Sequence, residues 1–294
     1  MSKFSVKKWL SYHHLTKIFK KLMQIPTFDK SLRNLKDDLA RNYYKIRLND
    51  ERSPYHIRFR KRPYKVLFIL SHMRSGSSLL THILNSHPDI IGYGETHLNY
   101  SREMDFKQLL FKVYWQLREY SMSHHYVLDK VLHNHKFLTD NFLFNQQVYS
   151  IFLLREPNRT LSSILDIKPH WTQEKATNYY LERLAMLENY AKLISNQERS
   201  LFITYNQLIK QSDLVFNTFK EFLQTETGFS EQYQVLKTTG IKGVGDSSEN
   251  IHKGKIMRNA RELKTTVSPE LIMQGQKSFE RCCETLSHYC LHLP

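Results

Sequence analysis

The 294-residue chain is expected to fold as a three-layer α/β/α domain around a central parallel sheet. Two observations predict it. Five short apolar runs, KVLFIL (65–70), DIIGY (89–93), HYVLD (125–129), YSIFLL (149–154) and SLFIT (200–204), have the continuous hydrophobicity of strands buried on both faces. Helix-like stretches lie between them, and strands alternating with helices mean parallel pairing.

Each element has its own local reason. After the first run, SSLLTHILNS (77–86) sets Leu79, Leu80, Ile83 and Leu84 at helical spacing, and Pro88 stops it. TNYYLERLAMLENYAKLIS (177–195) and DLVFNTFKEFLQ (213–224) carry the same periodicity. In REPNRTLSS, Pro157 stands where a helix begins. No internal repeat or low-complexity segment interrupts the pattern.

Charge divides the chain unevenly. Residues 1–65 hold eighteen Lys and Arg against five Asp and Glu, a net +13, which leaves only +2 of the chain's +15 for the rest. A nucleic-acid binder would spread its positive charge over the body, so none is expected as a partner. The division predicted is a basic, largely helical segment over 1–62 and an α/β domain over 63–294. Residues 3–24 mix apolar and basic side chains at roughly helical spacing. Such a helix can lie on an anionic membrane surface through residues 1–24, or pack on the body with a solvated face.

No window of eighteen apolar residues predicts a membrane span, and MSKFSVKKWLSYHHLTK lacks the apolar core of a signal peptide. Cys282, Cys283 and Cys290 are too few and too clustered for a disulfide framework, and fit buried thiols in a reducing compartment. Asn158-Arg159-Thr160 is a glycosylation sequon. A glycan there would obstruct an anion site built on Arg155 and Ser163, so the expected location is cytoplasmic, with the leader offering a peripheral membrane contact.

Ligands of such sheets bind outside the carboxyl ends of the strands. The residues at those ends are Ser71-His72-Met73-Arg74-Ser75-Gly76-Ser77-Ser78, then Gly94-Glu95, Lys130, Arg155 and Tyr205. Cations gathered with one carboxylate suit an anionic ligand and an acid–base step. The strand–SHMRSGSS–helix unit is a phosphate cradle: helix N-terminal amides bind the anion, Gly76 permits close approach, Ser77 and Ser78 add hydroxyls and Arg74 can fork onto two oxygens. It lacks the Lys of a nucleotide-hydrolysing loop, which disfavours the same-fold alternative, a kinase or other NTPase. In IFLLREPNRTLSSIL, Arg155 and Ser163 could hold a second phosphate. His124, His125, His133 and His135 lack metal-ligand spacing, and no metal is expected.

RSGSSLLTHILNSHPD together with REPNRTLSS resembles the two nucleotide signatures of the PAPS-dependent sulfotransferases, with the order and spacing of the carbohydrate and tyrosylprotein type. The likeness runs from about Lys65 to Ile256. It takes in Asp129-Lys130, Tyr205-Asn206-Gln207-Leu208 with the family's acidic pair missing, and the late loop GDSSENIHKGKI (245–256). The resemblance implies a P-loop-like sulfotransferase fold and transfer of a sulfuryl group from PAPS to a hydroxyl, leaving PAP. A glycan is the first choice of acceptor, a tyrosine or small molecule the others. It further implies that Arg74, Ser75, Gly76, Ser77 and Ser78 hold the 5′-phosphosulfate. Arg155 and Ser163 hold the 3′-phosphate, and Lys253, Gly254 and Lys255 close over the nucleotide. Glu95 is the general base, Lys130 an electrostatic stabiliser, and His97 and His72 are rivals for the base. The alternative from another class is a basic membrane-surface or nucleic-acid-binding protein, which explains the leader but neither signature.

Overall fold

Val66, Leu67, Phe68, Ile69 and Leu70 are all fully buried, because strand β1 (Lys65–Ser71) runs through the middle of the sheet. The computed structural model describes residues 16–26, 29–49, 53–240, 249–259 and 263–293. Among them six strands pair in one parallel sheet, ordered β2-β3-β1-β4-β5-β6. The others are β2 (Ile90–Ile91), β3 (Tyr126–Val131), β4 (Val148–Leu154), β5 (Ser200–Thr204) and β6 (Leu291–His292).

Alternation along β1 splits the core into two layers. Val66, Phe68 and Leu70 join one cluster with α1 (Lys30–Leu48), α3 (Asp105–Leu117), α4 (Pro157–Ile167), α5 (Gln173–Ile194) and α9 (Pro269–Tyr289). Leu67 and Ile69 face the other, with α2 (Ser77–Asn85), α6 (Tyr205–Lys210) and α7 (Ser212–Leu223); short α8 (Glu249–His252) adds Ile251. The expected three-layer α/β/α fold is present. At ~25 cal/mol per Å² of apolar area, these two buried faces are the main source of stability.

Differences from the sequence reading are local. β2 has two residues rather than five, and β3 continues through Lys130 to Val131, two residues beyond the expected end. The register Phe68↔Asp129 and Ile69↔Lys130 explains it: pairing with β1 holds two charged residues in strand geometry. β6, α3 and α9 were not anticipated. β6 carries too little pattern to recognise, and it pairs as Leu201↔Leu291 and Phe202↔His292.

In the N-terminal segment, residues 16–24 are helical and residues 1–15 of the expected amphipathic stretch lie outside the described residues. Asp29 caps α1, accepting from the amides of Ser31 (2.6 Å) and Leu32 (3.2 Å). The buried Tyr44 hydroxyl then donates to Tyr114 O of α3 at 2.9 Å. Cys282 and Cys290 are buried thiols, and Cys283 is half-buried. No helix among the described residues is long and apolar enough to cross a membrane.

Candidate active site

The carboxyl ends of β1, β3, β4 and β5 open onto one cleft of about 1130 Å³. Its wall at β1 is the loop 72–76. Two residues there take left-handed backbone, Arg74 at φ 63° and Gly76 at φ 93°, so the chain turns sharply into α2. A Cβ at position 76 would lie 2.3 Å from Tyr205 Cδ2, so only glycine fits. The first amides of α2 have no intrahelical acceptor, and Ser77 and Ser78 line the cleft there. Helix dipole and orphan amides together favour an anion. Ser75 differs. It is fully buried, 2.6 Å from the Ser71 hydroxyl, and its Oγ accepts from Ser77 N at 3.3 Å, so its side chain braces the loop from within.

The two signatures meet in space. Arg74 Nε donates to Ser163 Oγ on α4 at 2.8 Å, and Arg155 Nη1 donates to Arg74 O at 3.2 Å. The guanidinium of Arg74 thus reaches across to the second unit instead of resting over its own helix. Arg155 lies with its guanidinium 4.2 Å from the Tyr205 ring centroid. Its Nε is buried without a hydrogen-bond acceptor, the Glu156 carboxylate standing 3.8 Å away. Burial lowers the pKa of Arg155, a sign of a cation poorly compensated within the described residues.

His72 is structural. Its Nδ1 lies 2.9 Å from Met73 O and therefore donates, while Nε2 accepts from Arg155 N at 3.1 Å. Burial, with Arg183 and Arg155 nearby, pushes its pKa down to about 3. A ring with both nitrogens engaged ties the first unit to the second and has no lone pair for an acceptor hydroxyl.

Across the cleft stand Glu95 and Lys130. Lys130 Nζ is 3.6 Å from Glu95 Oε1 and donates to Ser78 Oγ at 3.2 Å. The Lys130 side chain is 2% exposed and that of Glu95 17%, and both line the cleft. His97 sits 3.8 Å from Glu95 Oε2 and also lines the cleft.

The late loop is divided. Lys255 lines the cleft; Lys253 is exposed and is not part of the lining. Gly254 turns at φ 65°, and its carbonyl accepts from Tyr233 N at 2.8 Å. The first part of GDSSENIHKGKI, through residue 248, lies outside the described residues. Asn158 is exposed and absent from the lining, although Thr160 of its sequon is buried. Arg159 beside it is part of the lining, so the sequon lies at the margin of the cleft.

Several residues were not legible in advance. Arg159, Arg258 and Phe279 also line the cleft, whereas Lys168, which lines it too, lies in the stretch 165–177 that the sequence reading offers for the acceptor pocket. Behind it, one face of α5 fastens three strand ends: Tyr179 Oη to Leu132 O (2.8 Å), Tyr180 Oη to Arg155 O (2.7 Å), and Arg183 Nε to Ser71 O (2.8 Å) and Nη2 to Val131 O (2.7 Å). Helical spacing could have grouped these three, but nothing in the chain tied them to the strand ends.

No family model matches this chain, and no curated protein matches its sequence. Among solved structures, it is similar to a sulfotransferase domain from the curacin biosynthetic pathway, at 19% identity and TM-score 0.49 over 80% of this chain and all of that one. It is similar to the sulfotransferase domain of a Synechococcus olefin synthase at 18% identity and TM-score 0.47, over 80% and 98% of the two chains. A third likeness, at 16% identity and TM-score 0.38 over 56% and 59%, is to a mouse sulfotransferase complexed with PAP. The six-stranded parallel sheet between two helical layers is the three-layer α/β/α arrangement expected from the alternation of strands and helices.

Proposed function

We propose that residues 63–294 form a PAPS-dependent sulfotransferase that moves a sulfuryl group to a hydroxyl, a glycan hydroxyl first among the candidates. The observation carrying this reading is the meeting of Arg74, Ser163 and Arg155 beside an open helix N-terminus. A nucleotide with phosphates at both ends needs two anion sites a short distance apart, and a buried Arg155 Nε without an acceptor suits one of them.

Each residue then has a role. The α2 amides, Gly76, Ser77 and Ser78 hold the 5′-phosphosulfate, Arg155 and Ser163 the 3′-phosphate, and Lys255 flanks the nucleotide. Arg74, placed between the two, neutralises charge on either. The acceptor oxygen attacks sulfur in line, forming an O–S bond as the bond from sulfur to the 5′-phosphate oxygen breaks. The hydroxyl proton passes to Glu95, and PAP leaves. Lys130 offsets charge on the moving sulfuryl oxygens. With His72 occupied, Glu95 and His97 are the remaining candidates for the base, and the more enclosed Glu95 is preferred. Lys168 and Phe279 stand near the acceptor's path.

The proposal extends to a cytoplasmic protein whose residues 1–24 meet anionic membrane surfaces, in keeping with the +13 carried by residues 1–65. Incubation with labelled PAPS and a panel of glycans, tyrosine peptides and small alcohols tests the activity. Label transferred to a glycan is expected. Transfer only to tyrosine or a small alcohol would overturn the acceptor class, and no transfer to any hydroxyl would overturn the reading.

A further inference from the structure

Asp129 is buried in the middle of β3 and accepts hydrogen bonds on both carboxylate oxygens. Oδ1 accepts from Thr96 N and Lys130 N, each at 2.9 Å. Oδ2 accepts from Thr96 Oγ1 at 2.7 Å and Tyr100 Oη at 2.6 Å. The two amide partners can only donate, and the two hydroxyls complete the set around the carboxyl. Burial raises the pKa of the carboxyl, and the hydrogen bonds oppose that rise.

Two of those donors are chain neighbours of the reacting pair. Thr96 N follows Glu95, and Lys130 N belongs to the residue whose ammonium faces Glu95. The segment needs such an anchor, since it leaves the strand region through Gly94 at φ 118° and His97 at φ 58°. Lys112 Nζ holds Thr96 O from the opposite side.

We propose that Asp129 is the positioning residue that sets Glu95 and Lys130 opposite one another. This rests on the reading of Glu95 as the base of sulfuryl transfer. Asp129 touches neither donor nor acceptor and acts through the backbone of residues 96 and 130.

The test is Asp129→Asn in the full chain, with kcat, acceptor KM and PAP affinity measured beside Glu95→Gln. The two hydroxyl partners can rotate to accept from an amide, so the variant keeps its packing. The expected result is a fall in kcat of about tenfold from lost alignment, with acceptor KM and PAP affinity each within about twofold of the parent. An unchanged kcat, with Glu95→Gln inactive, overturns the role of Asp129 alone. Near-normal turnover in Glu95→Gln overturns the base assignment and this inference with it. Should Asp129→Asn not fold, Tyr100→Phe and Thr96→Val keep Asp129 and remove one donor each. They are expected to lower kcat at unchanged PAP affinity, and normal kcat in both overturns the proposal.

Discussion

Glu95→Gln is expected to lower turnover by about a hundredfold or more while PAP affinity stays within about twofold. Glutamine preserves the side-chain shape and a contact to Lys130, but cannot take the acceptor's proton. The alternative role for Glu95 is a plain ion-pair partner for Lys130, 3.6 Å away. The two roles separate in kinetics. A structural ion pair would show its loss in thermal stability or donor affinity, because Lys130 also reaches Ser78 on the donor side. A base shows its loss in kcat. Turnover close to the parent's on the true acceptor would transfer the role to His97, which shares the same edge.

Arg155→Ala and Arg74→Ala are each expected to weaken PAP binding by about 2–4 kcal/mol, since each leaves a desolvated phosphate without its charged partner. The effects should not add, because Arg155 Nη1 holds the Arg74 carbonyl and both variants disturb one network. Ser163→Ala should cost less than either, as it removes one neutral acceptor of Arg74 Nε. Isothermal titration with PAP measures all three. An unchanged affinity in either arginine variant removes that residue from the site.

The fold was legible because its strands announce themselves. β1, β4 and β5 are unbroken apolar runs buried on both faces, and each lies within one residue of where the sequence put it. β3 was cut short because Asp129 and Lys130 look like the end of an apolar run; their partners, Thr96, Tyr100, Ser78 and Glu95, are more than twenty-five residues away in sequence. The two-residue β6 exists only through pairing with β5, and no local pattern marks it. At the cleft, the loop 72–76 and Arg155 were recognisable since glycine, serine and arginine next to a strand end have few other uses. The inward turn of Ser75, the double engagement of His72 and the strand-end clamp on α5 depend on tertiary contacts that local sequence does not carry.

Comparative titration of the full chain with PAP and with ATP in the presence of magnesium decides most directly whether the cleft is built for a sulfuryl donor. A cleft that brings Arg74, Arg155 and Ser163 together, without the lysine of a hydrolysing loop, should bind PAP and be thermally stabilised by it, as any ligand selective for the folded state does. ATP with magnesium should bind far more weakly. Equal or tighter binding of ATP with magnesium, or the absence of PAP binding, would contradict the assignment of this cleft to a sulfuryl donor.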